Sequence, residues 1–360
     1  MDTAAKPKAG LEDTVATSSA ICYLDGDRGV LAYCGYDIHD LARHATFEEV
    51  CYLLWHRRLP TRAELGDLQA QLVAARPLPE PVLRLLRMLP PGDSMDLLRT
   101  LTSALSHYDA DAADNSAPAN YRKAIRLTAQ ISSLVAAMGR VNANGTPIHP
   151  DPVLSHAANF LYMLTGERPS GLATRAFDVA LVLHADHELN ASTFAARVAV
   201  STGASLSAGT LAALATLSGP QHGGASSVVT ALVDDLAGAE GSISEALRDW
   251  LGEGREVPGF GHRLYPNGDI RARALLGRVA IPAGYAEVRA AAEDLIGEGP
   301  NVDFALAALA AAHDLPPAAP MEIFALARSI GWLAHMLEQA DTGSIIRPRA
   351  RYTGPVPLVT

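Results

Sequence analysis

A chain of 360 residues with 49% hydrophobic content has enough material for two domains or one large one, which excludes a chain dominated by disorder. Its formal net charge of −10, with no Lys/Arg-rich run, argues against a nucleic-acid partner or an anionic membrane surface, so any anionic ligand must meet positive charge that is focused locally. Three cysteines, Cys22, Cys34 and Cys51, are odd in number and lack metal-ligand spacing, which points away from a disulfide framework and toward a reducing, cytoplasmic setting.

Residues 1–9 are small and polar with two lysines and read as a frayed tail, neither signal peptide nor membrane span. Ile21–Asp25 and Val30–Tyr33 read as two short strands around the turn Gly26-Asp-Arg-Gly29. Helical punctuation then takes over. Thr46-Phe-Glu-Glu49 and Thr61-Arg-Ala-Glu64 are Thr-x-x-Glu capping boxes ahead of apolar residues at helical spacing. Pro79–Leu89, Ser94–Tyr108 and Tyr121–Met138 continue the pattern, with loops at Pro90–Gly92 and Asp111–Ala119. A longer loop, Asn142–Pro152, precedes a helix over Val153–Leu164. The run Ala173–Leu183 delivers His184 and His187, and Asn190 caps a helix over Ala191–Ser201.

Gly219 and Pro220 halt the apolar run Leu211–Leu217, and a second run, Val228–Leu236, begins just beyond Gly223 and Gly224. His222 is thereby the one ionisable group on a bare helix-to-helix corner, which suits either close approach of a ligand or tight packing of backbone. Helices follow at Ile243–Leu251, Ile270–Leu276 and Tyr285–Ile296, with Gly252–Gly261 and Pro266–Gly268 between them. No βαβ alternation occurs, so the expected fold is all-α with a short N-terminal β-hairpin, and no apolar stretch reaches membrane length.

His184 and His187, three apart, would share a face of a helix, and with His222 and His262 they could form a four-histidine metal site, the basis of a metal-dependent hydrolase. A histidine satisfied by backbone carbonyls is the simpler reading of His184. Arg271, Arg328 and Arg347 could each be a solvated surface arginine. Arg328 resists that reading because Phe324, Ala325, Leu326, Ala327, Ile330 and Trp332 around it are apolar, so its charge should face a polar cleft or a partner. Asp303, just past Gly299-Pro300, fits a helix N-cap.

Ser218-Gly-Pro-Gln-His-Gly-Gly-Ala225, His184-Ala-Asp-His187, Pro258-Gly-Phe-Gly-His262 and Asn301-Val-Asp-Phe304, in this order, resemble the citrate synthase family over Gly10 to Gly354. The resemblance implies a discontinuous large helical domain, 1–222 with 325–360, and a smaller one, 223–324, with His222 at the hinge. It implies that Asp303 removes a proton from the methyl group of acetyl-CoA while His222 hydrogen-bonds the thioester oxygen, and that His262 polarises the ketone of oxaloacetate. His187, Arg271, Arg328 and Arg347 would bind oxaloacetate, with Arg347 reaching across a homodimer; Arg349 and Arg351 compete for that part. Pro258, Gly259, Phe260 and Gly261 would bind the acyl-CoA, a substrate, and neither metal nor cofactor is implied. Pro266 stands where many relatives carry a basic residue that contacts CoA phosphates, and it supplies no charge. Propionyl-CoA, giving a 2-methylcitrate synthase, is the alternative donor. A ligand-binding relative without turnover would be expected to lack Asp303, His222 or His262, and all three are present.

Overall fold

The computed structural model describes residues 14–223 and 225–355. The tail expected at residues 1–9 and Gly224 of the corner lie outside the described residues. The first elements are strands β1 (Cys22–Asp25) and β2 (Val30–Tyr33), paired antiparallel with Tyr23 opposite Ala32. The hairpin expected from the sequence is extended by a third strand, β3 (Tyr36–Asp37), because Cys34 and Gly35 take φ of 50° and 89° and turn the chain back on itself.

The rest is mainly helical, about 60% of the described residues lying in sixteen helices. The first five are α1 (Ile38–His44), α2 (Phe47–His56), α3 (Arg62–Ala75), α4 (Glu80–Met88) and α5 (Ser94–Leu105), the last continued by a 3-10 turn, Ser106–Tyr108. Both Thr-x-x-Glu boxes form, at the starts of α2 and α3, each oxygen satisfying a backbone N–H that the helix leaves unpaired, for about 1 kcal/mol per cap. A third box, Ser242 with Glu245, opens α12 (Ile243–Gly252).

Between them run α6 (Ala117–Asn142), α7 (His156–Thr165), α8 (Gly171–His184), α9 (Ala191–Ser201), α10 (Leu206–Leu217) and α11 (Ala225–Gly238). Helix α6 starts inside the loop expected at Asp111–Ala119, because Pro118 lies in its first turn, where a missing N–H costs nothing. Helix α7 starts three residues after the expected Val153. Ser155 accepts the Ala158 N–H as its cap and leaves Val153 outside, 76% exposed. Beyond α12 come α13 (Ile270–Leu276), α14 (Ala283–Ile296), α15 (Val302–Ala311) and α16 (Ala319–Thr342).

Helix α16 is the spine, packing on α2, α6, α8, α9, α10, α11 and α15. Apolar residues on all its sides leave Phe324 to Ala334 buried throughout. Each fully buried Leu, Ile or Met there contributes roughly 1.5–3 kcal/mol. Helices α11 to α15 pack mainly among themselves and meet the rest through α13 on α8 and through α11 and α15 on α16.

Two local devices aim the loop Pro258–Ile270. Phe260 and Pro300 form an antiparallel bridge, fastened by Gly261 N to Gly299 O (3.0 Å), Asn301 N to Gly259 O (2.8 Å) and Asn301 Nδ2 to Gly261 O (3.0 Å). From the other side the hairpin turn presses in: a Cβ on Gly26 would lie 1.6 Å from the Leu264 carbonyl oxygen, and Asn267 Nδ2 donates to Asp27 O at 3.3 Å. Only glycine fits at position 26.

Candidate active site

Helix α8 ends at His184, so His184 and His187 do not share a helical face as their spacing suggests. His184 points its Nδ1 back at the Ala180 carbonyl, 2.6 Å away, so backbone takes one ring nitrogen while the buried Nε2 has no hydrogen-bond partner among the described residues. Its own carbonyl accepts Arg328 Nε at 2.8 Å. The chain then turns, burying Asp186, and presents His187, whose Nε2 lies 2.9 Å from Tyr265 Oη.

Arg328, from the middle of α16, is 2% exposed. Beyond that one carbonyl its two terminal nitrogens make no hydrogen bond to the described residues. Burial lowers its pKa, Asp186 opposes this and neighbouring Arg271 adds repulsion, yet a guanidinium stays charged. Arg271, also 2% exposed, has a full partner: Nε and Nη2 grip the two Asp269 oxygens at 3.0 and 2.8 Å. Burial works hardest against its charge, but the coulombic and hydrogen-bonding pull of Asp269 together raise its pKa. Asp269 also caps α13 by accepting the Arg271 N–H. Of the two buried carboxylates here, Asp269 is gripped by Arg271 and Asp186 meets His335 Nε2 at 3.3 Å, so neither hydrogen-bonds Arg328, an arrangement that suits an incoming anion.

His262 joins this cluster, with Nε2 3.2 Å from Arg271 Nη2 and its ring centroid 5.8 Å from that of His187. Its Nδ1 accepts the Leu264 N–H at 3.1 Å, so the ring proton belongs on Nε2. Nε2–H and Arg271 Nη2–H are then two donors converging with no acceptor between them, the arrangement that holds a carbonyl oxygen as it gains charge. Burial, then Arg271, lowers the His262 pKa to about 4, and the same two causes hold His187 well below 6.5. Both imidazoles are neutral donors at physiological pH.

His222 sits at the corner between α10 and α11. Its Nε2 faces Ser192 Oγ at 2.8 Å and receives the Ser192 N–H at 3.3 Å, while Ser192 Oγ accepts Trp332 Nε1 at 3.1 Å and contacts Asn190 Oδ1 at 2.8 Å. With Nε2 accepting, Nδ1 carries the proton and is available as a donor. Burial, then Arg328, lowers its pKa to about 4. Gly223 beside it serves packing, since a Cβ there would come 2.5 Å from Leu217 O and 2.7 Å from Met321 Cε.

Asp303 is half-buried at the start of α15. It is not the N-cap: Asn301 takes that place, accepting the Asp303 N–H at 2.9 Å, so the Asp303 carboxylate is not committed to capping. The bridge Phe260–Pro300 ties the turn before it to the loop bearing His262. Arg347 stands exposed in the C-terminal segment, outside this chain's cluster, where Ile346 N donates to Ser201 Oγ at 3.0 Å.

The four histidines do not converge on a common point, since each has a ring nitrogen turned to a different partner. Among the described residues no group of three or more His, Cys, Asp or Glu is arranged to hold a metal ion. Sequence reasoning missed Ser192, Tyr265, Asp269 and Trp332. Asp269 alone had a local signal, as an acidic cap two residues ahead of Arg271.

The sequence profile of the family described as "Citrate synthase, C-terminal domain" matches residues 10–349. The citrate synthase of Haloferax volcanii is 45% identical, the alignment covering 96% of each chain. The 2-methylcitrate synthase of Mycobacterium tuberculosis is 36% identical over 96% of this chain and 90% of its own. The structure of a ternary complex of carboxymethyl coenzyme A and oxaloacetate with the citrate synthase of Thermoplasma acidophilum superposes with a TM-score of 0.85 at 27% identity, covering 97% of this chain and 96% of that one.

Proposed function

The chain belongs to the citrate synthase family, and from that premise we propose how its own residues carry a Claisen-type condensation. The enzyme is an acyltransferase that joins acetyl-CoA to oxaloacetate and hydrolyses the citryl thioester to citrate and CoA. The observation that carries the assignment of the site is the buried pair Arg271 and Arg328, with Arg328's terminal nitrogens unused. A four-carbon dicarboxylate supplies the planar acceptors that such forks require. His187 completes this cradle, and His262 Nε2–H with Arg271 donates to the ketone oxygen.

The Asp303 carboxylate takes a proton from the acetyl methyl group as His222 Nδ1–H donates to the thioester oxygen, spreading the charge that forms there. The new carbanionic carbon bonds to the ketone carbon of oxaloacetate, whose oxygen takes up a proton. Water then adds to the thioester carbonyl and CoA leaves as the thiol. Positioned groups of this kind each contribute roughly 10²–10⁴-fold. Pro258, Gly259, Phe260 and Gly261, the segment bridged to the turn before Asp303's helix, take the acyl-CoA. Residues 223–324 move as a smaller domain over 1–222 and 325–360. The protein works as a cytoplasmic homodimer in which Arg347, exposed and outside its own chain's cluster, completes the partner's site.

The 2-methylcitrate synthase reading stands second, favoured by the relative of that name. One methylene is worth only about 1–3 kcal/mol in an apolar pocket. Oxaloacetate-dependent release of CoA thiol from acetyl-CoA and propionyl-CoA tests the assignment. A kcat/KM higher for acetyl-CoA is expected. A higher value for propionyl-CoA reverses the donor, and no release from either removes the function.

A further inference from the structure

On the outer side of α13 two cavities of about 200 and 250 Å³ adjoin, sharing His39 and Arg273 in their walls. Arg43 and Arg278 line the first, Arg28 and Asn267 the second, and no carboxylate lines either. The walls come from three separate parts of the chain: the hairpin turn, α1, and α13 with the loop before it. Together they fall in the size range of small-molecule sites, roughly 300–1,000 Å³.

The guanidiniums are poorly committed. Arg273 donates to Asn267 O at 3.1 Å and Arg278 to Ala274 O at 2.9 Å, both backbone carbonyls. Arg28 and Arg43 reach Asp25 and Asp40 only at 3.9 Å, the long limit of an ion pair. In a chain of net charge −10, four arginines around one concave cleft are a local positive focus. Lone surface arginines would scatter; these converge from three segments.

We propose that this cleft binds a diphosphate-bearing ligand. Arginine forks match phosphate oxygens two at a time, and their spread over two joined cavities suits two linked phosphates better than one carboxylate. Gly268 in the wall, where a Cβ would come 3.3 Å from Arg273 Nη2, keeps that guanidinium clear of side-chain bulk. The ligand is either the phosphate end of the acyl-CoA or a free nucleoside diphosphate. In both cases it ties Arg28, His39 and Arg43 to Arg273 and Arg278, across the boundary assigned above to domain movement, and so favours the closed form.

Titrating inorganic pyrophosphate calorimetrically into the full-length protein at low salt tests the site. Arg273→Ala with Arg278→Ala should weaken binding at least about tenfold, given the worth of charge-assisted hydrogen bonds. Removing two arginines of α4, Arg84→Ala with Arg87→Ala, should leave it unchanged. These positions are exposed, and thermal melts verify that each variant folds. Kinetics then separates the sources. If CoA's phosphates lie here, the first variant raises KM for acetyl-CoA about tenfold, leaves KM for S-acetyl-pantetheine unchanged and spares kcat. If a free nucleotide does, both KM values hold and ADP binding falls with pyrophosphate binding. No pyrophosphate binding, equal affinity in wild type and the first variant, or equal loss in the α4 control overturns the proposal, whatever the enzyme's activity.

Discussion

The cradle around Arg271 and Arg328 and the corner around His222 are held in different ways. In the cradle, Arg271, Arg328, Asp269 and His187 are all buried, the Asp269 carboxylate locks one arginine bidentately, and a helix carbonyl fixes the other. At the corner, His222 is half-buried on a turn between two helices and Asp303 half-buried at the start of a third. Packing holds the first arrangement before any ligand arrives, whereas the domain movement proposed above would complete the second. On the proposed function, the difference would give the cradle to the substrate that binds first and the corner to the one that binds second.

Breaking the corner should cost chemistry, and breaking the cradle should cost substrate. Asp303→Ala and His222→Ala are expected to lower kcat roughly 10²–10⁴-fold each with little change in KM for oxaloacetate. Arg328→Leu is expected to raise that KM about a hundredfold, since it removes charge-assisted bonds to a buried carboxylate. Steady-state kinetics with circular dichroism checks both, and a reversed pattern would mean that the two regions have been given each other's roles. Mixed Asp303→Ala and Arg347→Leu homodimers extend the test. About half of randomly re-paired dimers are hybrids with one complete site, so roughly a quarter of wild-type activity should return. No return despite hybrids seen by mass spectrometry would place Arg347 outside the partner's site.

A smaller effect separates the regions by pH. Burial depresses the pKa to about 3 for His156 and His184, to about 4 for His222 and His262, and well below 6.5 for His187. Below pH 6.5 the unfolded chain therefore takes up protons that the folded chain refuses. Stability is full above that pH and falls as pH drops through it toward 4. Asp178 and Glu322, whose carboxyls burial raises to about 6 and about 7, act in the opposite sense, but the five imidazoles outnumber them. Denaturant midpoints should fall between pH 7.5 and pH 5. Over the same range kcat should stay level, because His222 and His262 remain neutral donors, with an acid limb only near pH 4. Equal midpoints, or a kcat that halves near pH 6.5, would show ordinary exposed imidazoles.

What could be read from the sequence was local. The Thr46, Thr61 and Asn190 caps each involve residues within three positions, and all form as read. The Ser192–His222 contact spans 30 residues and the Trp332–Ser192 contact 140. Nothing in the local pattern of either partner announces the other. His184 and His187 misled because spacing shows a common face only if the helix continues, and α8 stops between them. Asp303 misled as a cap because Asn301, two residues earlier, competes for the same place and takes it. The burial of Arg328 was legible, since an arginine ringed by apolar neighbours on a long helix has nowhere else to point.

The measurement that bears most directly on the order of assembly is calorimetric titration of acetyl-CoA into the protein with and without a saturating, non-reacting analogue of oxaloacetate. A prebuilt cradle coupled to an unfinished corner requires that filling the first tighten the second, by about tenfold or more, and linkage requires the analogue's affinity to rise by the same factor when acetyl-CoA is present. Equal acetyl-CoA affinity in the two titrations would contradict the account, because both halves of the site would then be complete in the free protein.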